Sequence, residues 1–342
     1  MRHAVDRLEE YFPSLSVMIR RSWIEFQTLS RTFKPWKPKE SQCPGLMIQT
    51  TNICNANCIF CAYQYQDRFT PTTGMMSDEL YAKTLKEYKD LGGELITFTA
   101  LVGDPLVDPR FLARFRQAKD AGFQVGVITN GILLNKLDLD ELFAIAPIFF
   151  CLSTAPFEAE TYEKIYRSNR YSQLLQGIER LLKRRNELNA SFLLSLHFRS
   201  HVPASKVKAY PDFKNRIAPL MTEAEHKSVF TIMNGFDSWG GMIEQGDLLQ
   251  GMKLAKPARI RHRPCNRTFE LMVQWDGAVR ACSCRYTGKE RSNGIDELCV
   301  GDMSKSTLKE IWDGPEIRAL RQRFVDNNLP AVCSNCAVYR PC

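Results

Sequence analysis

The chain has 342 residues, 44% of them hydrophobic and 25% charged, the balance of an ordinary soluble globular protein with room for two moderate domains. No run is apolar enough to span a bilayer, and the charged start (Arg2, Asp6, Arg7, Glu9, Glu10) lacks a signal-peptide pattern, so a cytoplasmic protein without a membrane partner is expected. The net charge of +8 carries no aromatic residues interleaved with its basic runs, which argues against nucleic acid, and twelve cysteines in a long chain without an export signal point to metal ligation rather than disulfides.

Residues 1–42 repeat Leu8, Tyr11, Phe12, Leu15, Met18, Ile19, Trp23 and Phe26 at helical spacing, which predicts an N-terminal helical arm packed on the larger domain. From 43 to 241, β-prone runs at 46–49, 95–100, 124–128, 148–153, 191–198 and 229–233 alternate with helical patterns at 78–91, 110–121, 137–145, 172–188 and 204–220. This alternation predicts an α/β fold with a parallel sheet of right-handed βαβ units. Six strands are too few for a closed eight-stranded barrel. An open, partial (β/α)6 barrel is therefore expected, with its site at the carboxyl ends of the strands.

The first strand end carries Cys54, Cys58 and Cys61, a CxxxCxxC triplet. A four-iron four-sulfur (4Fe-4S) cluster takes four ligands, so three thiols leave one iron open to something that is not protein. Zinc, the competing reading, closes its shell with four Cys or His, and the nearest histidines are His3 and His197. Strand ends two and three carry Gly103, Asp104 and Pro105, then Thr129, Asn130 and Gly131; strand four leads to Ser153 and onward to Arg167. Along strand five Ser195, His197 and Arg199 alternate with apolar residues, which predicts a polar lumen and a hydrophilic substrate. His197 reads equally as structural or catalytic, and no catalytic residue is assigned. The glycine-rich stretch 234–241 is expected to face the substrate, or else to be a plain turn.

Residues 242–264 read as a linker. Beyond it, in 265–342, Cys265 is followed by apolar runs flanking Asp276 and Gly277, a predicted tight hairpin that brings Cys265 and Cys282 to one end. A helix with Leu308, Ile311 and Trp312 precedes Cys333, Cys336 and Cys342. The basic run from Lys256 to Arg267 borders these thiols, where positive charge stabilises thiolate and reduced cluster.

From residue 46 to the end these motifs resemble the radical S-adenosylmethionine (SAM) family, including the aromatic Phe60 just before the third cysteine. The resemblance implies that SAM chelates the open iron and is cleaved by one electron to a 5'-deoxyadenosyl radical. Gly103 and Asp104 resemble the family's Gly-Gly-Glu-Pro element, with Val102 for the first glycine and Asp for Glu, and imply a hold on the methionine amine. Asn130 falls in a family-like Thr-Asn-Gly. Ser153 and Arg167 resemble the pair that binds the methionine carboxylate, although Ala155 stands where the family has Asp. The C-terminal part resembles SPASM and twitch modules, which implies a second 4Fe-4S cluster on Cys265, Cys282, Cys333 and Cys336, with Cys284 or Cys342 as alternates. A flavodoxin- or ferredoxin-type electron donor is implied as partner. Twitch-type members act mostly on sugars, cyclitols and similar metabolites, which implies oxidation or epimerisation of a hydroxylated small molecule. The alternatives are a peptide brought by a partner, since 42 leading residues are few for a peptide-binding domain, and a non-enzymatic iron-sulfur carrier.

Overall fold

The computed structural model describes residues 44–65, 73–190, 192–222, 228–284 and 296–342, together with a few helical residues between 19 and 30. The arm expected over residues 1–42 thus lies mostly outside the described residues. Within it, Trp23 and Phe26 are exposed and stack on each other, and Glu25 accepts a bond from the Arg259 N–H at 3.4 Å.

Strands β1 (Gly45–Ile48), β2 (Leu95–Phe98), β3 (Gln124–Thr129), β4 (Phe149–Thr154), β5 (Leu193–Arg199) and β6 (Ser228–Met233) lie side by side in chain order, all parallel. Between them run α1 (Asp78–Asp90), α2 (Phe111–Asp120), α3 (Leu139–Ile145), α4 (Ala159–Tyr166) and α5 (Tyr171–Glu187). Each helix starts where the sequence provides for it or buries a stripe. Ser77 caps α1 by accepting from Leu80 N, and α5 buries Leu174, Leu175, Ile178, Leu181 and Leu182. On the strands Ile48, Ile96, Phe98, Val127, Phe150, Leu152, Leu196 and Phe198 are fully buried. Each such side chain contributes roughly 1.5–3 kcal/mol relative to exposure. The alternate residues of β4 and β5, among them Cys151, Ser153, Ser195, His197 and Arg199, occupy the opposite, inner face. The lumen is polar, as the alternation on the fifth strand predicts.

Two differences from the predicted elements have local causes. The helix expected over 204–220 breaks into α6 (Ala204–Ala209), a π-helical turn (Phe213–Ile217) and α7 (Ala218–Thr222). Pro211 forces Tyr210 into extended backbone, ψ 134°, and Pro219, which has no N–H to donate, follows directly on the wide turn. The short helix α4 is absent from the predicted elements. Glu158 starts it, its carboxylate accepting from the N–H groups of Glu160 and Thr161.

The expected hairpin forms as β9 (Glu270–Val273) and β10 (Ala278–Arg280), with Gly277 at φ +93° in the turn, followed by β11 (Cys299–Asp302). It does not stand apart. Strand β9 pairs in parallel with β1, Leu46 opposite Leu271 and Ile48 opposite Val273, so one sheet runs β11-β10-β9-β1-β2-β3-β4-β5-β6 among the described residues. The seam is reinforced from α1. Glu87 accepts from the Leu308 N–H that opens α8 (Leu308–Trp312), and Lys83 bonds the Met303 carbonyl. Within 242–264 lies β8 (Lys253–Leu254), which pairs in parallel with β7 (Gly235–Phe236). Helix α9 (Pro315–Val325) then leads to Cys333.

The ring of Trp275, in the hairpin turn, covers Gly74, where an added Cβ would lie 2.1 Å from a ring carbon. Gly74→Ala is therefore expected to destabilise the protein by about 1–3 kcal/mol through overpacking. Gly246→Ala, which meets no atom within 4 Å, is expected to stay within about 0.5 kcal/mol. Denaturant melts of the two variants check this, and equal midpoints would show that the seam carries no strain.

Candidate active site

The cysteine loop leaves β1 and is held as an added strand would be. The N–H groups of Asn57 and Ile59 donate to the carbonyls of Tyr166 and Ile165 at the end of α4, 3.1 and 3.0 Å away, and the Tyr63 hydroxyl donates to the Cys54 carbonyl at 3.2 Å. Burial pushes the pKa of Cys54, Cys58 and Cys61 upward. For Cys58 the neighbouring thiols Cys61 and Cys54 raise it further, and the Arg199 guanidinium opposes the rise. Buried thiols that resist ionisation fit a cationic cluster, which draws off their protons as it binds. Among the described residues no three Cys, His, Asp or Glu side chains gather tightly enough for a single metal ion. A cubane cluster takes one thiolate at each corner rather than gathering all three on one ion.

Asp104 is buried where three strand-end loops meet. Its N–H donates to the Ile53 carbonyl at 3.0 Å, and its carboxylate accepts from Thr129 Oγ1 at 2.9 Å, Asn130 N at 2.7 Å and Leu106 N at 3.0 Å. Burial raises its pKa to about 6, and these donors oppose the rise. The sequence motif implies a hold on the methionine amine for this residue; in the structure its acceptors are engaged by the protein, the side chain being short enough to stay inside the clamp. Gly103, at φ +120°, lies so close to the Thr51 carbonyl that a Cβ would come within 2.7 Å. The clamp orients Asn130, whose Nδ2 donates to Asn55 Oδ1 at 2.7 Å and points at Cys54 Sγ at 3.7 Å.

Phe60 stacks on Phe236, meets Tyr166 edge-on and lies under the Arg199 guanidinium. The motifs imply that Ser153 and Arg167 together hold a methionine carboxylate. In the protein itself Arg199 Nε donates to Ser153 Oγ at 3.0 Å, and the exposed Arg167 donates to Gln64 Oε1 at 3.0 Å. Backbone geometry sets these contacts. Arg167 ends α4 in the left-handed region, φ 47°, whereas Arg199 sits on β5 beside β4 on the same inner face. The polar alternation of the fifth strand is the sequence signal for Arg199.

Deeper on that face Cys151 Sγ lies 3.6 Å from His197 Nδ1. Burial lifts the Cys151 pKa to about 11, while burial and then the charge of Arg199 pull His197 down to about 4, so at neutral pH both are uncharged. Nothing in the sequence singles out this pair, since Cys151 reads there as one more apolar strand residue.

At the other end of the chain, a cavity is lined by Cys265, Cys282, Cys284, Cys333, Cys336 and Arg267. The four thiols expected to share a site meet there, and Cys284 joins them. Buried Arg280, paired with Asp296, fixes the Cys282 carbonyl at 3.0 Å, and the Asn266 N–H bonds the Arg340 carbonyl at 2.8 Å beside Cys265. Burial pushes Cys265 up to about 12. Cys284 is the more acidic of the Cys282 and Cys284 pair, since it takes a hydrogen bond from Cys282 and faces Arg267. Cys342 bonds Pro264 through its N–H, and Cys299 is exposed on β11.

A radical SAM superfamily model matches residues 48–197, and a model of the SPASM iron-sulfur cluster-binding domain matches residues 265–337. A tungsten-containing aldehyde ferredoxin oxidoreductase cofactor-modifying protein of Pyrococcus furiosus is 22% identical over 338 residues, 87% of this chain and 88% of that protein. Among solved structures, BtrN in complex with AdoMet and 2-DOIA superposes with a TM-score of 0.54 at 15% identity, covering 86% of this chain and 93% of that one. Streptococcus suis SuiB bound to its precursor peptide SuiA also gives 0.54, at 11% identity over 90% of this chain and 80% of that one. These two likenesses concern the fold. A radical SAM domain binds a 4Fe-4S cluster and SAM, and a SPASM domain binds auxiliary iron-sulfur clusters. The chain belongs to the radical SAM superfamily, with a C-terminal SPASM domain following its radical SAM domain.

Proposed function

We propose that this radical SAM enzyme removes a carbon-bound hydrogen from a hydroxylated small molecule held in the barrel lumen and oxidises it. Cys54, Cys58 and Cys61 hold the SAM-cleaving cluster, and Cys265, Cys282, Cys333 and Cys336 hold one auxiliary cluster. When bound, these groups supply a 5'-deoxyadenosyl radical and an acceptor for the second electron, an external flavodoxin- or ferredoxin-type donor providing the first. The observation that carries the reading is the polar inner face of β4 and β5, where Ser153, Ser195, His197 and Arg199 offer hydroxyls, an imidazole and a cation to a hydrophilic substrate. The Pyrococcus relative, similar along most of the chain, is by its name a modifier of a cofactor, which is compatible with a small-molecule target.

The chain's own groups have separate tasks. Asn130, steadied by Asp104, places its amide at Cys54. Arg199 offsets negative charge at Cys58 and Cys61 and fixes the Ser153 hydroxyl. Phe60 offers an aromatic wall beside them. His197, uncharged at neutral pH, keeps the Cys151 thiol company on the inner face.

Changing Cys54, Cys58 and Cys61 together to Ala should reduce dithionite-driven cleavage of SAM to 5'-deoxyadenosine and methionine to background in anaerobically reconstituted protein. Iron should fall from about eight per chain to about four, the remainder held by the C-terminal cavity. Cleavage that persists, or a wild-type count near four or twelve, contradicts the assignment.

Oxidation and epimerisation are separated by turnover in deuterated water. Oxidation leaves no solvent deuterium on the reacting carbon. Cys151 is the thiol on the inner face of the barrel, and the S–H bond is weak enough to give a hydrogen to a carbon radical. A carbon-bound deuteron in the product that disappears in Cys151→Ala would establish epimerisation instead.

A further inference from the structure

The glycine-rich stretch after β6 touches both cysteine centres. Asp237 accepts two backbone bonds: Oδ2 from the Trp239 N–H at 2.8 Å, and Oδ1 from the Ala337 N–H at 2.9 Å, one residue beyond Cys336. Trp239 in turn donates its indole Nε1–H to the Phe60 carbonyl at 3.0 Å, one residue before Cys61. Phe236 adds a stacked contact on Phe60, with ring centroids 5.3 Å apart. The bridge is built under strain. Trp239 has φ +50°, a conformation that is costly for a non-glycine residue and persists where its surroundings enforce it. Gly240 and Gly241, also at positive φ, turn the chain away directly afterwards.

A continuous route therefore runs from Cys61 through the Phe60 peptide, the indole and backbone of Trp239, and the Asp237 carboxylate to the Ala337 peptide and Cys336. We propose that Asp237 and Trp239 are positioning residues that lock the two cluster-binding segments at one separation and orientation, and so set one-electron exchange between the centres. The inference rests on the two-cluster reading above. One electron that leaves the C-terminal centre oxidises it and reduces the barrel centre, or the reverse, and the bridge itself gains and loses no atoms. Such exchange falls steeply with distance, so a fixed geometry matters more here than added contact area. Asp suits the position because it offers acceptors to two N–H groups at once, where Asn has one acceptor and turns a donor toward the second.

The test is pulsed dipolar electron paramagnetic resonance on fully reconstituted, dithionite-reduced holoenzyme, reading the separation of the two paramagnetic clusters, with iron measured on the same samples. The wild type should give a single narrow separation. Asp237→Ala and Trp239→Phe should each lose the resolved dipolar modulation while iron stays at about eight per chain, and Asp237→Asn should fall between. Unchanged modulation in both variants would overturn the bridge, and so would loss of the C-terminal iron from both, which would mark them as supports of the cluster site alone. A wild-type iron content of about four per chain would overturn the two-cluster reading itself, before any variant is compared.

Discussion

Asp104 joins the ends of three strands at one buried point, and the geometry of the cysteine centre depends on it. Its N–H reaches the residue before Cys54, and its carboxylate takes the Thr129 hydroxyl and the Asn130 N–H from the end of β3. Burial raises this carboxylate to about 6 and the donors oppose the rise, so at neutral pH it is charged and attracts all of them. Asn130 is thereby fixed against Cys54, and Gly103 gives the clamp room to close on Thr51.

The two thiol centres share an electrostatic design. In each, buried thiols favour the protonated form (Cys54, Cys58 and Cys61 in one, Cys265 and Cys282 in the other), while a guanidinium acts the other way: Arg199 on Cys58 and Cys61, Arg267 on Cys284, whose thiolate is favoured. A cationic neighbour lowers the cost of thiolate in a poorly solvated site and favours a reduced, more negative cluster. Arg199 also carries a second task, since it lies over Phe60 and bonds Ser153. It is thus the residue that links cluster, aromatic wall and lumen.

Features that are local in sequence are the ones legible from it. The triplet at 54–61 is legible because its cysteines are neighbours in the chain, and β3, observed as Gln124–Thr129 against an expected 124–128, is legible because its apolar run ends at a turn motif. The break at Tyr210 follows from Pro211, a signal present in the sequence that helical spacing alone overrides. Other features arise only when distant segments meet. The parallel pairing of β9 with β1 has no local signature, and the bond from Arg199 to Ser153 depends on the register of β5 against β4. The same holds for Asp104, whose motif is visible while the direction of its carboxylate is not, and for Trp239, which reads as a loop aromatic until its indole is seen on the Phe60 carbonyl.

The central claim is that the cluster at residues 54–61 keeps one iron open and presents it to SAM. Electron-nuclear double resonance on reduced protein with SAM labelled by 15N at the methionine amine and 17O at its carboxylate reads this directly. Hyperfine coupling of both labels to the cluster spin is the predicted result. A bound cluster and bound SAM with neither label coupled would contradict it.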